Sequence, residues 1–246
     1  MEGYGPSTYG DRVAEIYDDL YERAFDVVGA VEMLARLAGR GRALELAIGT
    51  GRIALPLAST GVDVVGIDAS QAMVAKLRAK PGGRDIVVRI GDFADVEVEG
   101  EFSLVYVVFN TFFALLSQED QLRCFRNVTK RLDDIGVFVI EAFVPDLTRF
   151  DRHQRVEVTD IGADDVTLDT SRHDPIAQRI DAQHIVLGPE GPRLYPVRLR
   201  YAWPSELDLM ARLAGLRLRE RVSGWRGEAF TSESLGHVSI YERDVR

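Results

Sequence analysis

Two glycines that flank a threonine follow a short apolar run in the segment LELAIGTGR, residues 44–52. Glycine lets the backbone approach a ligand closely, because it has no Cβ. Glu45 lies four residues before Gly49, and Asp68 ends the next apolar run, 17 residues after Gly51. This pattern is typical of a site for a nucleotide-containing cofactor, with a carboxylate placed to accept hydrogen bonds from the ribose hydroxyls.

A dinucleotide site is the first interpretation of this loop. Gly49, Gly51 and Ala54 match the Gly-x-Gly-x-x-Gly/Ala spacing that binds a pyrophosphate. Three features disfavour it. The first strand contains a carboxylate, Glu45, and about forty residues precede that strand. The last two predicted strands have no helix between them. An NAD-dependent oxidoreductase is therefore the less favoured alternative.

The segments ELAIGTGR, VVGIDAS and IGDFAD together resemble the class I S-adenosylmethionine-dependent methyltransferases, over roughly residues 10–145 and 203–243. The family motif is Glu/Asp-x-Gly-x-Gly-x-Gly, and Ala47 stands here at its first glycine. The resemblance implies an α/β fold with a Rossmann-like, mostly parallel sheet, an antiparallel terminal strand pair, and an antiparallel β insertion after strand five. It also implies S-adenosylmethionine as cofactor and S-adenosylhomocysteine as product.

The resemblance assigns roles in cofactor binding. Asp68 would accept hydrogen bonds from the ribose, and Asp92 with Phe93 would bind the adenine. Glu45 would organise the loop or the ammonium group of the ligand. The full predicted set is Tyr17, Glu45, Ala47, Gly49, Gly51, Asp68, Ala69, Met73, Asp92, Phe93 and Phe109.

Two further segments resemble the glycine N-methyltransferase group and the deoxysugar N,N-dimethyltransferases. In VFNTFFALLS, the resemblance places Asn110 against the methyl acceptor and Phe113 in the wall of its pocket; the alternative is that Asn110 caps the next helix. The N-terminal AEIYDDLYER resembles the segment that closes over the active site in these enzymes. Tyr17 would then contact the sulfonium, while Tyr9 and Tyr21 would line the lid.

The choice of acceptor depends on whether a base is present. A neutral amine needs only to be held in line with the methyl group, whereas a hydroxyl needs a base. Among the four histidines, we expect His184 to be packed or hydrogen-bonded. His173 is the more plausible base, although a solvated loop position competes with that role. His153 follows strand five, near where acceptors bind in this fold.

These considerations favour N-methylation of a small-molecule amine, with a small-molecule O-methyltransferase that uses a histidine base as the alternative. A silent cofactor-binding protein is the non-enzymatic alternative. Arg172 is placed in the acceptor site because a guanidinium binds a carboxylate or phosphate with two hydrogen bonds. The predicted catalytic residues are Tyr17, Asn110 and His173, and the predicted acceptor-binding residues are Tyr9, Tyr21, Asn110, Phe113, His153 and Arg172.

The hydrophobic patterning predicts the elements that position these residues. Five apolar runs, mostly separated by helices, predict a parallel sheet covered on both faces: 42–48, 62–69, 85–92, 102–109 and 136–144. Four runs with period-two alternation follow, within 155–201, and predict an antiparallel meander with a hairpin loop at GPEGP. We divide a single domain, 1–246, into an N-terminal helical lid 1–40, a cofactor-binding core 41–145, the β insertion 150–202, and a C-terminal helix and strand pair 203–246.

Composition limits the partners. The net charge is −9 and there is no block of Lys and Arg, which argues against a nucleic-acid substrate. There is no apolar run long enough to span a membrane and no signal-peptide pattern, so we expect a cytoplasmic protein that does not bind membranes. The single cysteine, Cys124, fits a reducing compartment. We expect a small-molecule acceptor, no metal, and a homodimer through the β insertion.

Overall fold

The computed structural model describes residues 3–21 and 25–244. Within these residues the chain forms seven α-helices, one short 3-10 helix (Thr111–Ala114) and eleven strands. The helices are α1 Thr8–Val13, α2 Tyr17–Leu20, α3 Val27–Ala38, α4 Ala54–Ser59, α5 Gln71–Ala79, α6 Gln118–Thr129 and α7 Pro204–Leu213. The strands are β1 Arg42–Leu46, β2 Asp63–Asp68, β3 Val87–Ile90, β4 Phe102–Val107, β5 Leu132–Phe143, β6 Gln154–Ile161, β7 Val166–Asp174, β8 Arg179–Gly188, β9 Gly191–Arg200, β10 Leu216–Val222 and β11 Gly236–Arg243.

The main sheet has seven strands in the order β10-β11-β5-β4-β1-β2-β3. Strands β1 to β5 are parallel, and β11 pairs antiparallel with both β5 and β10. The predicted mostly parallel sheet with an antiparallel terminal pair at its edge is therefore confirmed. Strand order reverses between β1 and β4, and a ligand crevice forms at the carboxyl ends of the strands at such a point.

Strands β6 to β9 form a separate antiparallel sheet, which confirms the predicted insertion after strand five. The GPEGP loop closes on two residues, because Gly188 pairs with Gly191. One face of this sheet packs against the rest of the chain: Tyr195 is buried in a cluster with Val13 of α1 and Met73 of α5. The insertion therefore lies against the N-terminal helices rather than extending the main sheet.

The longest helix of the predicted N-terminal helical lid, α3, begins at Val27. The side chain of Asp26 accepts a hydrogen bond from the Gly29 amide, which caps the helix and fixes its first turn. Met33 and Leu34 of this helix are buried, whereas Val28 is exposed. Residues 22–24 lie outside the described residues. No helix in the part of the chain that the structure describes is both long and apolar enough to cross a membrane.

Candidate functional site

A cavity lies at the carboxyl ends of β1 and β2, between these strands and the N-terminal helices. Nine of the predicted residues line it together: Tyr9, Tyr17, Ala47, Gly49, Asp68, Ala69, Met73, Asp92 and Phe93. The sequence interpretation missed other lining residues, among them Tyr4, Gly10, Ser70, Thr111 and Leu115. The apolar ones carry no spacing or chemical signal that separates them from ordinary core residues.

The glycine loop follows β1 in a left-handed backbone conformation. The φ angles are 57° at Ala47, 58° at Gly49 and 78° at Gly51. A Cβ on Gly49 would meet only a carbonyl oxygen at 4.0 Å, so this position stays open toward the cavity. A Cβ on Gly51 would lie 2.2 Å from the Leu77 side chain. The absence of a side chain at Gly51 therefore lets the loop pack closely against α5, where a close approach to the ligand was expected.

Asp68 organises this loop. One carboxylate oxygen accepts a hydrogen bond of 2.7 Å from the Gly49 amide, and the other accepts one of 2.7 Å from the Ser70 amide. Burial raises the pKa of the carboxyl group. Each carboxylate oxygen keeps a second lone pair for a ligand hydroxyl. The N-cap of α5 is Ser70, whose side chain accepts a hydrogen bond from the Met73 amide.

Asp92 and Phe93 line the cavity after β3. The Asp92 carboxylate accepts a hydrogen bond of 2.9 Å from the Ala94 amide, which holds the side chain in a local turn. The second carboxylate oxygen is the atom left for a ligand donor. Binding of adenine at this position stays a prediction.

Glu45 lies deeper than the cavity wall, with 3% of its surface exposed. It accepts a hydrogen bond of 2.9 Å from the Tyr106 hydroxyl. Burial raises the pKa of Glu45 to about 8, with the charge of Asp68 adding to the rise, while hydrogen bonds from Tyr106 and the Ala54 amide act against it. The carboxyl group is therefore protonated at neutral pH, and its predicted role in organising the loop stays a prediction. A contact with the ligand's ammonium group stays a prediction.

The N-terminal helices cover the cavity and are tied to it by polar contacts. Asp11 accepts a hydrogen bond of 2.7 Å from Ser70, and Asp18 accepts one of 2.6 Å from Thr50. The hydroxyls of Tyr9 and Tyr21 are 2.8 Å apart, and the rings of Tyr17 and Tyr21 are in edge contact at 5.1 Å. The three lid tyrosines thus form one cluster, although Tyr21 does not line the cavity itself.

The backbone turns sharply after β4. Phe109 and Asn110 have φ angles of 57° and 63°, and the Phe109 amide donates to Glu141 of β5 at 2.9 Å. Asn110 Oδ1 accepts a hydrogen bond of 2.6 Å from the Phe143 amide. Among the described residues its side chain caps no helix, so the capping alternative is wrong. Phe109 lies outside the cavity wall, and its predicted contact with the cofactor stays untested.

Phe113 and Phe143 mark the side of the site that faces the insertion. Phe113 is fully buried, and its ring meets that of Phe143 at 4.9 Å. Phe143 in turn lines a second cavity with Phe150, Arg155 and Tyr201. Phe113 is thus in contact with a residue that lines the second cavity, and its place in the acceptor pocket stays a prediction.

His173 is neither in a loop nor solvated, and that expectation is wrong. It is in β7 with 6% exposure, and its Nε2 is 2.9 Å from the Tyr201 hydroxyl. Strand β7 continues past His173, because Asp174 still pairs with Arg179. Burial lowers the pKa of His173. It does not line the cofactor cavity.

The remaining predicted acceptor residues are near the ends of the insertion. His153 is exposed, with a φ of 66°, and its carbonyl accepts from the His173 amide. Arg172 is exposed and adjacent to His173 in β7, so its side chain is directed to the opposite face of the sheet. The structure does not bring these two residues to the cofactor cavity, and their roles stay predictions.

The other two histidines are held by their own neighbours. His184 Nδ1 is 2.7 Å from Asp169, which confirms that it is hydrogen-bonded. His237 in β11 is buried, with Nδ1 2.8 Å from the Ser239 hydroxyl. Burial lowers the pKa of His237 to about 4. Its imidazole is thus neutral at physiological pH.

Comparison with known proteins agrees with this geometry. Residues 43–136 match the model of a family described as a methyltransferase domain. The chain is 40% identical to the CcbJ methyltransferase of Streptomyces caelestis, with a TM-score of 0.93 over 98% of this chain and 100% of that one. It is 28% identical over 242 residues to the cypemycin N-terminal methyltransferase of a Streptomyces species, covering 97% of this chain and 98% of the relative.

The sugar N-methyltransferase KedS8 from a Streptoalloteichus species has the same fold, with a TM-score of 0.69 and 22% identity over 99% of each chain. The methyltransferase interpretation of the glycine loop is therefore confirmed over the dinucleotide alternative. Because the strand order, the cavity at its switch point and the kinship over nearly the full length all agree, the chain belongs to the class I S-adenosylmethionine-dependent methyltransferases, enzymes whose methyl donor is S-adenosylmethionine.

Proposed function

We propose that this enzyme transfers a methyl group to the nitrogen of a small-molecule amine. The observation that carries the proposal is the state of its histidines. His173, His184 and His237 each use a ring nitrogen in a hydrogen bond within the protein, and His153 is exposed. An amine needs only alignment, whereas a hydroxyl acceptor needs a base within reach. Of the relatives described above, one is an N-terminal methyltransferase and another is a sugar N-methyltransferase.

The residues of the cavity suit the cofactor. Gly49 leaves space where a Cβ would project, and the carboxylates of Asp68 and Asp92 are acceptors for ribose hydroxyls and an amino group. S-adenosylmethionine supplies a methyl group on a positively charged sulfur. We assign the contact with that sulfonium to Tyr17, because an aromatic face and a hydroxyl both stabilise a cation. Asn110 is assigned to the acceptor, through the part of its amide that Phe143 does not use.

Cofactor binding is tested by isothermal titration with S-adenosylhomocysteine. Asp92→Asn is compared with Asp95→Asn, since Asp95 is an exposed carboxylate three residues away that does not line the cavity. A charge-assisted hydrogen bond contributes about 1.5–3 kcal/mol. We therefore expect Asp92→Asn to bind at least about tenfold more weakly, and Asp95→Asn to bind like the wild type. Equal affinity in both variants would remove Asp92 from the site.

The acceptor atom is tested with amino alcohols, which offer nitrogen and oxygen in one molecule. The protein is incubated with S-adenosylmethionine and a panel of amino sugars and other amino alcohols, and the products are fragmented in a mass spectrometer. Methylation at nitrogen supports the proposal. Methylation at oxygen, lost in His173→Gln, would instead establish an O-methyltransferase with a histidine base.

We also propose that the outer face of the insertion is a homodimer interface. Cross-strand register aligns Val158, Leu168, Ile185 and Leu194 in one row of this face, and Val158 and Leu194 are 52% and 51% exposed. Such a row buries its apolar surface when a two-fold axis places it against itself.

Light scattering after gel filtration tests this interface. Leu194→Arg should convert a dimer into a monomer. The control is Ile176→Arg, because Ile176 is an exposed residue of the β7–β8 turn, outside the row. A dimer that survives Leu194→Arg would place the interface elsewhere.

We propose that residues 1–246 act as one methyltransferase domain with the four divisions given above. We assign it to the cytoplasm, where the buried free thiol of Cys124 would stay reduced. Fractionation of cells that express the tagged chain tests this location.

A further inference from the structure

Arg52, the residue after the glycine loop, is enclosed by four aromatic rings. Its guanidinium carbon is 4.7 Å from the ring centroid of Tyr17, 5.4 Å from that of Tyr21, 5.3 Å from that of Phe25 and 5.2 Å from that of Phe109. We call these four rings the aromatic box. Three of them belong to the N-terminal segment and the fourth to the turn after β4, so one cation joins both to the loop.

Arg52 also binds the backbone of the lid. Nη1 donates to the Tyr21 carbonyl at 3.0 Å, and Nη2 donates to the Tyr17 carbonyl at 3.4 Å. A planar guanidinium can stack on rings while its edge donates two hydrogen bonds, whereas a lysine ammonium donates but has no planar face to stack. Arg52 therefore fixes both the ring and the main chain of Tyr17.

A second tie lies on the other side of the same loop. Thr50 donates to Asp18 at 2.6 Å, and Lys80 reaches both the Asp18 carboxylate at 2.6 Å and the Thr50 carbonyl at 2.9 Å. Tyr17 is adjacent to Asp18 in α2. The loop thus holds α2 from two directions, and only the Arg52 tie includes the ring of Tyr17.

We propose that Arg52 is a positioning residue for methyl transfer, which holds Tyr17 in the wall of the cofactor cavity through the aromatic box and the two lid carbonyls. This inference rests on the proposed contact of Tyr17 with the sulfonium. A displacement of about 1 Å in an aligning group can lower a rate by about a hundredfold. Loss of the tie should therefore reduce kcat more than the affinity for the acceptor.

The test compares Arg52→Gln and Arg52→Lys with Arg36→Gln, since Arg36 is an exposed arginine of α3. The first readout is the rate at which trypsin cleaves after Arg12 in α1, measured with S-adenosylhomocysteine bound. We expect cleavage to be at least about fivefold faster in both Arg52 variants, and unchanged in the control, because the lid opens more often. Cleavage at the wild-type rate in Arg52→Lys would overturn the proposal.

The second readout is kinetic. We expect Arg52→Lys to lower kcat at least about tenfold, with a KM for the acceptor within about threefold of the wild type. When Arg52→Lys is combined with Tyr17→Phe, the loss of kcat should be smaller than the product of the two single losses, because both changes act on one contact. An unchanged kcat, or losses that multiply fully, would contradict a role through Tyr17. Trypsin cleavage is measured without an acceptor, so failure of the N-methylation proposal would appear separately, as a wild type that methylates no amine.

Discussion

The buried carboxyl group of Glu45 makes stability depend on pH in a way that one substitution should remove. Its pKa is raised from 4.5 to about 8 by burial. Because this pKa is higher in the folded than in the unfolded protein, the contribution of Glu45 to the free energy of unfolding is fully present below pH 4.5. It is lost as pH rises toward 8. The loss is about 1.4 kcal/mol per pH unit, and so about 5 kcal/mol over this window.

Glu45→Gln keeps the shape of the side chain but cannot ionise. The carboxyl group receives hydrogen bonds from two donors, the Tyr106 hydroxyl and the Ala54 amide. A glutamine has one acceptor oxygen for these donors, so one hydrogen bond worth about 1 kcal/mol is lost. We therefore expect the variant to be less stable than the wild type at pH 4.5 and more stable at pH 8, with the two curves crossing between.

The measurement is urea unfolding of the cofactor-free protein at half-unit steps from pH 4.5 to 8.5. Glu101→Gln is the control, because Glu101 is exposed and its substitution should change stability little. A difference between Glu45→Gln and wild type that stays constant across the range would refute the reasoning, since it would mean that Glu45 ionises alike in the folded and unfolded chains.

Two other predictions concern stability. Burial lowers the pKa of His237 from 6.5 to about 4, so the free energy of unfolding should fall by about 1.4 kcal/mol per pH unit as pH drops from 6.5 to 4. His237→Asn should flatten this pH dependence in thermal melts. An unchanged slope in the variant would contradict the prediction. Gly51 and Gly82 have φ angles of 78° and 75°, but only at Gly51 does an added Cβ meet Leu77. Ala at Gly82 should therefore cost about 1 kcal/mol, and Ala at Gly51 about 1–3 kcal/mol more, in urea titrations; equal losses would contradict this account.

The sequence predicted well those elements whose pattern is local. The central strands are continuous apolar runs, and the insertion alternates with period two, so the type and order of these elements could be inferred. Asp68, Asp92 and Gly49 were found because each lies at a fixed distance after a strand. Such positions converge at one edge of the sheet whatever the rest of the chain does.

Residues whose surroundings come from distant parts of the chain were predicted less well. His173 was expected in a solvated loop, yet the pairing of Asp174 with Arg179 extends β7 past it and buries it against Tyr201. The side chain of Asn110 makes no cap bond to the 3-10 helix that follows it, because the Phe143 amide of β5 donates to its oxygen. No local pattern indicates either partner.

Backbone strain links these findings to the site. Three non-glycine residues with positive φ, Ala47, Phe109 and Asn110, follow the two central strands β1 and β4. Each such conformation costs about 1–3 kcal/mol and persists only where neighbours hold it. At Phe109 this neighbour is Glu141, whose carboxylate accepts hydrogen bonds from the Phe109 amide at 2.9 Å and from the Trp225 indole at 2.8 Å.

Two of these residues, Ala47 and Phe109, contribute to different parts of the site at the same edge of the sheet. Ala47 lines the cofactor cavity, and Phe109 supplies the ring of the aromatic box that does not come from the lid. Because Glu141 fixes Phe109, and Phe109 with Arg52 fixes the lid, a carboxylate of β5 supports the position of Tyr17 without touching the cavity. If Tyr17 contacts the sulfonium as proposed, we expect the alignment for methyl transfer to depend on contacts between β4, β5 and the N-terminal segment.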